Sequence, residues 1–340
     1  MSPGERRRLL GAFALGAVLA TAIVVAQWRS DPAHRTAYGD GLIYRFVAAH
    51  IGADEADVAR FDPDRVVIDR GTSLRYGRIG MPALVWLVSG GKASAMPTTQ
   101  PIVLILAAGA ASAGVAALFP RGGPLSALLA FLAPGFPLAI AGGYAEAVAV
   151  AFGVWAVWFA LRDRWWPSAL LLAAAILTKE NAAVILLGLG LWLVIKKRWH
   201  PAVILATSVI PVAAFWLFIA DRFGHIPPLD PYLRDATTTI GTPVVALIQS
   251  FTEAYSTESI IVALIHIVAG LVAVTLFRTS LFAVIGSVAA LQLLSVGPFG
   301  WKFIGDATRI STIFEVFVVL AIAARLKSSS AIEEAVTTPG

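Results

Sequence analysis

Chemistry has few places to reside in this sequence, and the first is an aspartate between two glycines, in Tyr38-Gly39-Asp40-Gly41. Glycines let a substrate come close, and a carboxylate so placed can take a proton from a hydroxyl group. Asp40 also opens a helix-spaced apolar set, Leu42, Ile43, Phe46 and Val47, and there it could instead cap the helix by accepting from unpaired N–H groups. That helix is expected to be amphipathic and to lie on the outer membrane surface. The same polar stretch closes with Arg75-Tyr76-Gly77-Arg78-Ile79-Gly80-Met81-Pro82, and Ile79 to Val88 is apolar but too short to cross a bilayer, so a second interfacial or re-entrant helix is expected. Between Tyr38 and Pro82 lie Asp40, Asp54, Glu55, Asp57, Asp62, Asp64 and Asp69 together with Arg60, Arg65, Arg70, Arg75 and Arg78. A large share of the chain's ionisable groups thus falls in one loop, which reads as the active-site loop of a membrane enzyme.

Further polar sites interrupt the apolar runs. Glu146 follows Gly142-Gly143-Tyr144 at the outer end of a run, where a carboxylate is expensive unless it caps the helix, is paired or serves a function. Lys179 and Glu180 form a polar corner between Pro167–Leu177 and Asn181–Ile195, both short. The eleven residues of the first cover about 16 Å at 1.5 Å per residue, so the corner is expected below the outer surface, facing a water-filled cavity, unless its charges snorkel out from a plain helix turn. Arg309 opens the last run, which also carries Glu315. An arginine there can anchor the helix at the headgroups or grip a lipid phosphate with a bidentate fork. His50 and His266 have no partner at ligand spacing, and His266 is expected as a packed intramembrane histidine.

Composition determines the elements that must carry these residues. With 58% hydrophobic residues, 14% charged and a mean hydropathy of +0.79, the chain is far more apolar than a soluble domain. The expected fold is an all-α polytopic membrane protein with about ten transmembrane helices and a long extracytoplasmic first loop carrying interfacial helices. Residues 1–327 form one transmembrane domain, 28–98 its outer loop, and 328–340 a frayed cytoplasmic tail. Glu5-Arg6-Arg7-Arg8 precedes the run Leu9 to Gln27, which is longer than the apolar core of a signal peptide and is read as a span. The later runs are Thr99–Phe119, Leu125–Gly142, Tyr144–Leu161, Pro167–Leu177, Asn181–Ile195, Pro201–Ala220, Ser259–Phe277, Leu281–Val296 and Ile310–Leu326. Alternate threading puts Arg121, Arg162-Asp163-Arg164, Lys196-Lys197-Arg198, Arg278 and Arg325 on the N-terminal side, which the positive-inside rule makes cytoplasmic. Trp155, Trp158, Trp165, Trp166, Trp192 and Trp199 form an aromatic belt near that side. The polar loop, Lys179-Glu180 and the loops around Asp221–Thr242 and Gly297–Arg309 then collect on the outer face of a plasma membrane. The absence of cysteine removes disulfides, thiolate nucleophiles and cysteine metal sites. The net charge of +5 comes from small clusters between apolar runs, which excludes nucleic acid as a partner and suits orientation in a bilayer.

The order of these motifs resembles the integral-membrane GT-C glycosyltransferases, especially the bacterial mannosyltransferase-like branch. The residues that carry the resemblance are Tyr38-Gly39-Asp40-Gly41, the Arg75 to Pro82 segment, Pro137 with Gly143-Tyr144-Ala145-Glu146, Ala174 to Glu180, and Phe215-Trp216 with Arg222-Phe223-Gly224. The family's pattern of paired acids in the first loop and a longer C-terminal half is absent. The resemblance implies transfer of a sugar, mannose or a related hexose or pentose, from a polyprenyl-phosphate donor to a lipid, glycan or protein acceptor among membrane lipids. It makes Asp40 the catalytic base of an inverting displacement and Arg75, Arg78, Lys179 and Arg309 the donor-phosphate ligands, since positioned cations stabilise charge on a leaving phosphate. Tyr38, Tyr44, Tyr76, Tyr144, Glu146 and Glu180 would line the substrate pocket. No cofactor is required, and a divalent ion at Asp40 and another loop acid is compatible with the resemblance but not demanded by the spacing.

Two other classes remain open. A transporter or lipid-linked-sugar flippase would also place charges in the membrane, but with inverted repeats and broken helices in both halves, and only Pro167–Ile195 has that character. A non-catalytic relative of the family is the third reading. The threading itself makes a first prediction: cysteines introduced at Asp54 and Pro228 react with an impermeant thiol reagent from outside intact cells, and reaction only after the inner face is opened would overturn it.

Overall fold

The computed structural model describes residues 2–30, 40–51, 72–229, 257–276, 280–293 and 311–337. These residues are all helical, with no strand among them. In order they form α1 (Pro3–Ser30), α2 (Asp40–Ala49), α3 (Thr72–Gly77), α4 (Gly80–Ser89), α5 (Met96–Leu118), a 3-10 segment (Pro120–Leu132), α6 (Gly135–Ala141), α7 (Glu146–Ala160) and α8 (Trp165–Thr178). A 3-10 turn (Glu180–Ala182) leads into α9 (Ala183–Ile195), followed by α10 (Trp199–Ala206), α11 (Val209–Phe223), α12 (Thr257–Thr275), α13 (Leu281–Leu293) and α14 (Thr312–Thr337).

Among the described residues three stretches are long and apolar enough to cross a membrane: Pro3–Ser30, Ala93–Leu118 and Trp199–Phe223. The expectation of about ten full crossings is therefore met only in part, because several apolar runs form helices of 10–17 residues. A helix of 15 residues covers about 22 Å, less than the roughly 30 Å of hydrocarbon. The run Leu125–Gly142 is a broken pair, the 3-10 segment and α6, bent by 77°. Pro134 and Pro137, at and just after the junction, explain the break, since proline withholds the N–H that a continuous helix needs. The break is held from outside: Gly135 N–H donates to Glu315 Oε2 at 2.6 Å.

α5 is the central post, with 72% of its apolar window buried against 22% for α1. Its buried residues include Ala107, Ala108, Ala111, Ser112, Gly114 and Ala116. In a bilayer, where lipid is as apolar as leucine, small residues of this kind stabilise helix pairs by letting backbones approach. α2 packs on the bundle, with Ile43, Tyr44, Phe46, Val47 and Ala48 all buried, and one other expectation changes. The 328–340 segment is not frayed along its length, because α14 runs on to Thr337.

The polar contacts gather at the two ends of the bundle. At one end Arg8 donates to Pro120 O at 3.5 Å, Arg162 pairs with Glu5 at 3.2 Å, and Arg198 pairs with Asp163 at 2.8 Å. At the other, Gln100, Gly143 and the Lys179-Glu180 corner meet α2 and α3. The turns at the first end are built alike: Leu161-Arg162-Asp163-Arg164-Trp165-Trp166-Pro167 and Ile195-Lys196-Lys197-Arg198-Trp199-His200-Pro201. Asp163 and Lys197 have φ of 58° and 56°, and Arg164 N and Arg198 N donate back to Phe159 O and Leu193 O at 3.0 and 2.8 Å. Each is a helix C-terminus closed by a left-handed residue, repeated 34 positions later.

His266 is not isolated. Its Nε2 lies 2.6 Å from Ser311 Oγ and 2.9 Å from Glu315 Oε1, and the Ser311 hydroxyl donates to Glu315 Oε1 at 2.7 Å. Glu315 thus joins α6, α12 and α14. Glu315→Ala takes the acceptor from the buried Gly135 N–H and one partner from the His266 imidazole, a loss of about 2–6 kcal/mol at 1–3 kcal/mol for each of the two groups. Thermal melting in detergent should show that loss, with part of it recovered by adding His266→Leu; a variant melting like the parent would remove Glu315 from this role.

Candidate functional site

Gln100 sits at the centre of the second polar end. It is 0% exposed, just before Pro101 in α5, and its amide is fully used. Nε2 donates to Gly41 O at 2.8 Å and to Gly143 O at 2.9 Å, while Oε1 accepts from Arg45 Nε at 3.0 Å. One buried amide therefore ties the start of α2 to the turn that precedes α7. Gly143 makes that turn with φ of 74°, a conformation that a side chain resists. Three residues on, Glu146 opens α7. The N-cap there, Ala145, offers no side-chain cap, and the Glu146 carboxylate is spent on a different contact.

That contact is an ion pair: Lys179 Nζ lies 3.1 Å from Glu146 Oε1, with side-chain exposures of 5% and 0%. Arg78, Glu146, Tyr44 and Glu180 all lie within electrostatic reach of the Lys179 ammonium. Beside it Arg78 grips Glu180 with a bidentate fork, Nε to Oε2 at 2.7 Å and Nη2 to Oε1 at 2.6 Å. The Glu180 side chain is 32% exposed, so water reaches this pair and not the other. Close packing makes the meeting possible: a Cβ at Gly80 would lie 2.9 Å from the Thr178 backbone N and Cα, so only glycine lets α4 begin against the corner that holds Lys179 and Glu180.

The expected residues fall into distinct groups. The structure brings Tyr44, Arg78, Glu146, Lys179 and Glu180 together, and two of the four cations expected to meet a phosphate, Arg78 and Lys179, are engaged by carboxylates. Tyr144 is half-buried in the turn before Glu146. Tyr76 lies instead in an apolar cluster with Ile43, Phe46, Val47, Ile219 and Phe223, its ring 4.8 Å from that of Phe223. Burial raises its phenol pKa, with the Arg222 charge pulling the other way, so the hydroxyl stays protonated. Arg75 lies in the last turn of α3, one residue before Tyr76. Burial lowers the pKa of Arg45. Asp40 is the first residue of α2, with only its backbone described, and Tyr38 and Arg309 lie outside the described residues.

Sequence reasoning passed over Gln100 and Arg45. A polar amide next to proline in an apolar run was the available signal, since such groups persist in a membrane only when satisfied. Among the described residues no group of three or more His, Cys, Asp or Glu could hold a metal ion. A cavity of about 170 Å³ lies elsewhere, lined by Ala263, His266, Gly270, Leu271 and Ser287 among others, and its wall is apolar. The two ion pairs, unlike most of the cavity wall, present fixed charges, which are the groups able to orient or stabilise a polar ligand.

Burial ranks the two pairs. Glu146→Gln strands an ammonium that solvent does not reach, and breaking such a pair costs about 3–5 kcal/mol. Glu180→Gln, at a water-accessible pair, should melt much closer to the parent, and Glu146→Leu with Lys179→Met should recover most of the Glu146→Gln loss. Equal melting of the two single variants would mean that water reaches both pairs alike.

Compared with protein-family models, with curated proteins and with solved structures, the chain matches none.

Proposed function

We propose that this chain is a multi-pass plasma-membrane glycosyltransferase that moves a sugar, mannose or a related hexose or pentose, from a polyprenyl-phosphate donor to a lipid, glycan or protein acceptor. In this reading the chain crosses the membrane about ten times, both termini are cytoplasmic, and the end bearing Arg78, Glu146, Lys179 and Glu180 is extracytoplasmic. The observation that carries it is the convergence of those four charged groups with Tyr44 at one end of a largely apolar bundle, beside the helix that Asp40 begins. A lipid-linked sugar phosphate needs this combination: lipid-facing helices for the tail, cations for the phosphate and a polar end for the sugar.

Asp40 accepts the proton of the acceptor hydroxyl as that oxygen bonds to the anomeric carbon. The bond from that carbon to the phosphate oxygen breaks, and polyprenyl phosphate leaves with the electron pair, so the anomeric configuration inverts. Of the cations, Arg78 is the one at a water-accessible pair, and a phosphate reaches it by displacing Glu180; Lys179, held by Glu146, acts at longer range. Arg75 and Arg309 complete the phosphate ligands, and Tyr38, Tyr44 and Tyr144 contribute to the sugar pocket. Tyr76 supports it from the apolar cluster.

A transporter or flippase is the second reading, favoured by one observation: the pair bent by 77°, with a buried carboxylate at its break, has the form of a discontinuous membrane helix. Purified protein in proteoliposomes with radiolabelled polyprenyl-phosphate mannose and a membrane-lipid extract separates the two. Glycosyl transfer gives a new labelled product, and Asp40→Asn lowers its rate by about a hundred- to ten-thousandfold while melting nearly like the parent, since Asn caps a helix about as well as Asp. Label crossing the bilayer with no new product would favour the second reading, and unimpaired turnover by Asp40→Asn would dismiss Asp40 as the base.

A further inference from the structure

The opposite end of the bundle holds an unassigned feature in its paired turns. Of their charged groups, Asp163 is matched by Arg198 and Arg162 by Glu5, but Arg164, Lys196 and Lys197 are exposed and have no carboxylate partner among the described residues. Lys197 is the telling one. Its φ of 56° is the left-handed conformation that helix ends usually give to glycine or asparagine, and a side chain with a Cβ is strained there. The chain places a lysine there, as it places Asp163 at the matching position of the other turn, and glycine at 197 would remove both the strain and the charge.

What surrounds these cations indicates what they meet. Trp166 and Trp199 are 61% and 60% exposed, one in each turn, and aromatic rings with one wet edge settle at the headgroup level. On the bundle side of the turns Leu161, Ile195, Leu170 and Val203 are exposed, apolar and suited to acyl chains. Arg198 fastens the two turns together, its guanidinium 5.1 Å from the Trp165 ring centre while it pairs with Asp163. A rigid ledge therefore presents three unneutralised cations between two interfacial tryptophans, directly above a lipid-facing wall.

We propose that this ledge, formed by Arg164, Lys196 and Lys197 with Trp166 and Trp199, binds the phosphate headgroup of an anionic phospholipid in the adjoining leaflet. The inference is independent of the reading given to the other end of the bundle. It is tested on the detergent-purified full chain by titrating phosphatidylglycerol or phosphatidylcholine and counting bound lipids by native mass spectrometry. The parent should bind phosphatidylglycerol more tightly than phosphatidylcholine. Lys197→Gly should weaken phosphatidylglycerol about fivefold, the effect of one basic residue near a charged surface, while melting no lower than the parent because the strain is gone. Arg164→Gln with Lys196→Gln and Lys197→Gln should abolish the preference. Arg6→Gln with Arg7→Gln, which removes charge from the same end but not from the ledge, should preserve it. Equal binding of the two lipids by the parent, or an equal loss from the Arg6 and Arg7 variant, would overturn the proposal. Displacement of phosphatidylglycerol by millimolar inorganic phosphate would overturn it as well, by making the ledge a site for soluble anions.

Discussion

A carboxylate sealed from solvent, Glu146, is tolerable in this bundle because the Lys179 ammonium stands 3.1 Å away. An uncompensated charge at that depth would cost several kcal/mol, so the pair dictates where its carriers go. α7 must begin where α8 ends, and the corner after α8 must turn inward rather than reach for water. Once that corner is fixed, Glu180 follows on its wetter side and takes Arg78, which draws the start of α4 onto Thr178. Gln100 closes the arrangement by joining α2 to the same turn. The polar end is thus a chain of obligations in which each buried group is satisfied by the next.

Much of this was legible in the residues. Composition alone demanded helices in a membrane, and the polarity of Glu146 and of Lys179-Glu180 in apolar surroundings marked them as paired or functional. What the sequence could not express was which acid would take which base. Arg78 and Glu180 are 102 positions apart, and nothing local foretells a bidentate fork between them. His266 looked solitary for the same reason, since its partner Glu315 lies 49 positions away on another helix. Helix lengths were misjudged where hydropathy ran on through a backbone break. In Leu125–Gly142 the side chains stay apolar while two prolines, Pro134 and Pro137, interrupt the backbone hydrogen bonding, and hydropathy registers only the former.

The two ends of the bundle solve opposite problems. Near Glu146 the charges are inside and cancel in pairs, which suits a place where a polar substrate would meet a prepared field. At the repeated turns the charges are outside and mostly of one sign, which suits a boundary with anionic lipid. Between them the middle of α5, lined mostly with alanine and glycine, supplies close helix contact with little polar surface.

The contact between Gly135 and Glu315 spans 180 positions and carries a temporal consequence. A ribosome delivers the bent segment into the membrane long before the helix that caps it exists. Throughout that interval the Gly135 N–H must borrow another partner, from water, lipid headgroups or the insertion machinery, and the bend is provisional. Arrival of α14 completes both its own packing and the shape of a segment made roughly 10–40 seconds earlier at about 5–20 residues per second, so this part of the chain is consolidated from its later end.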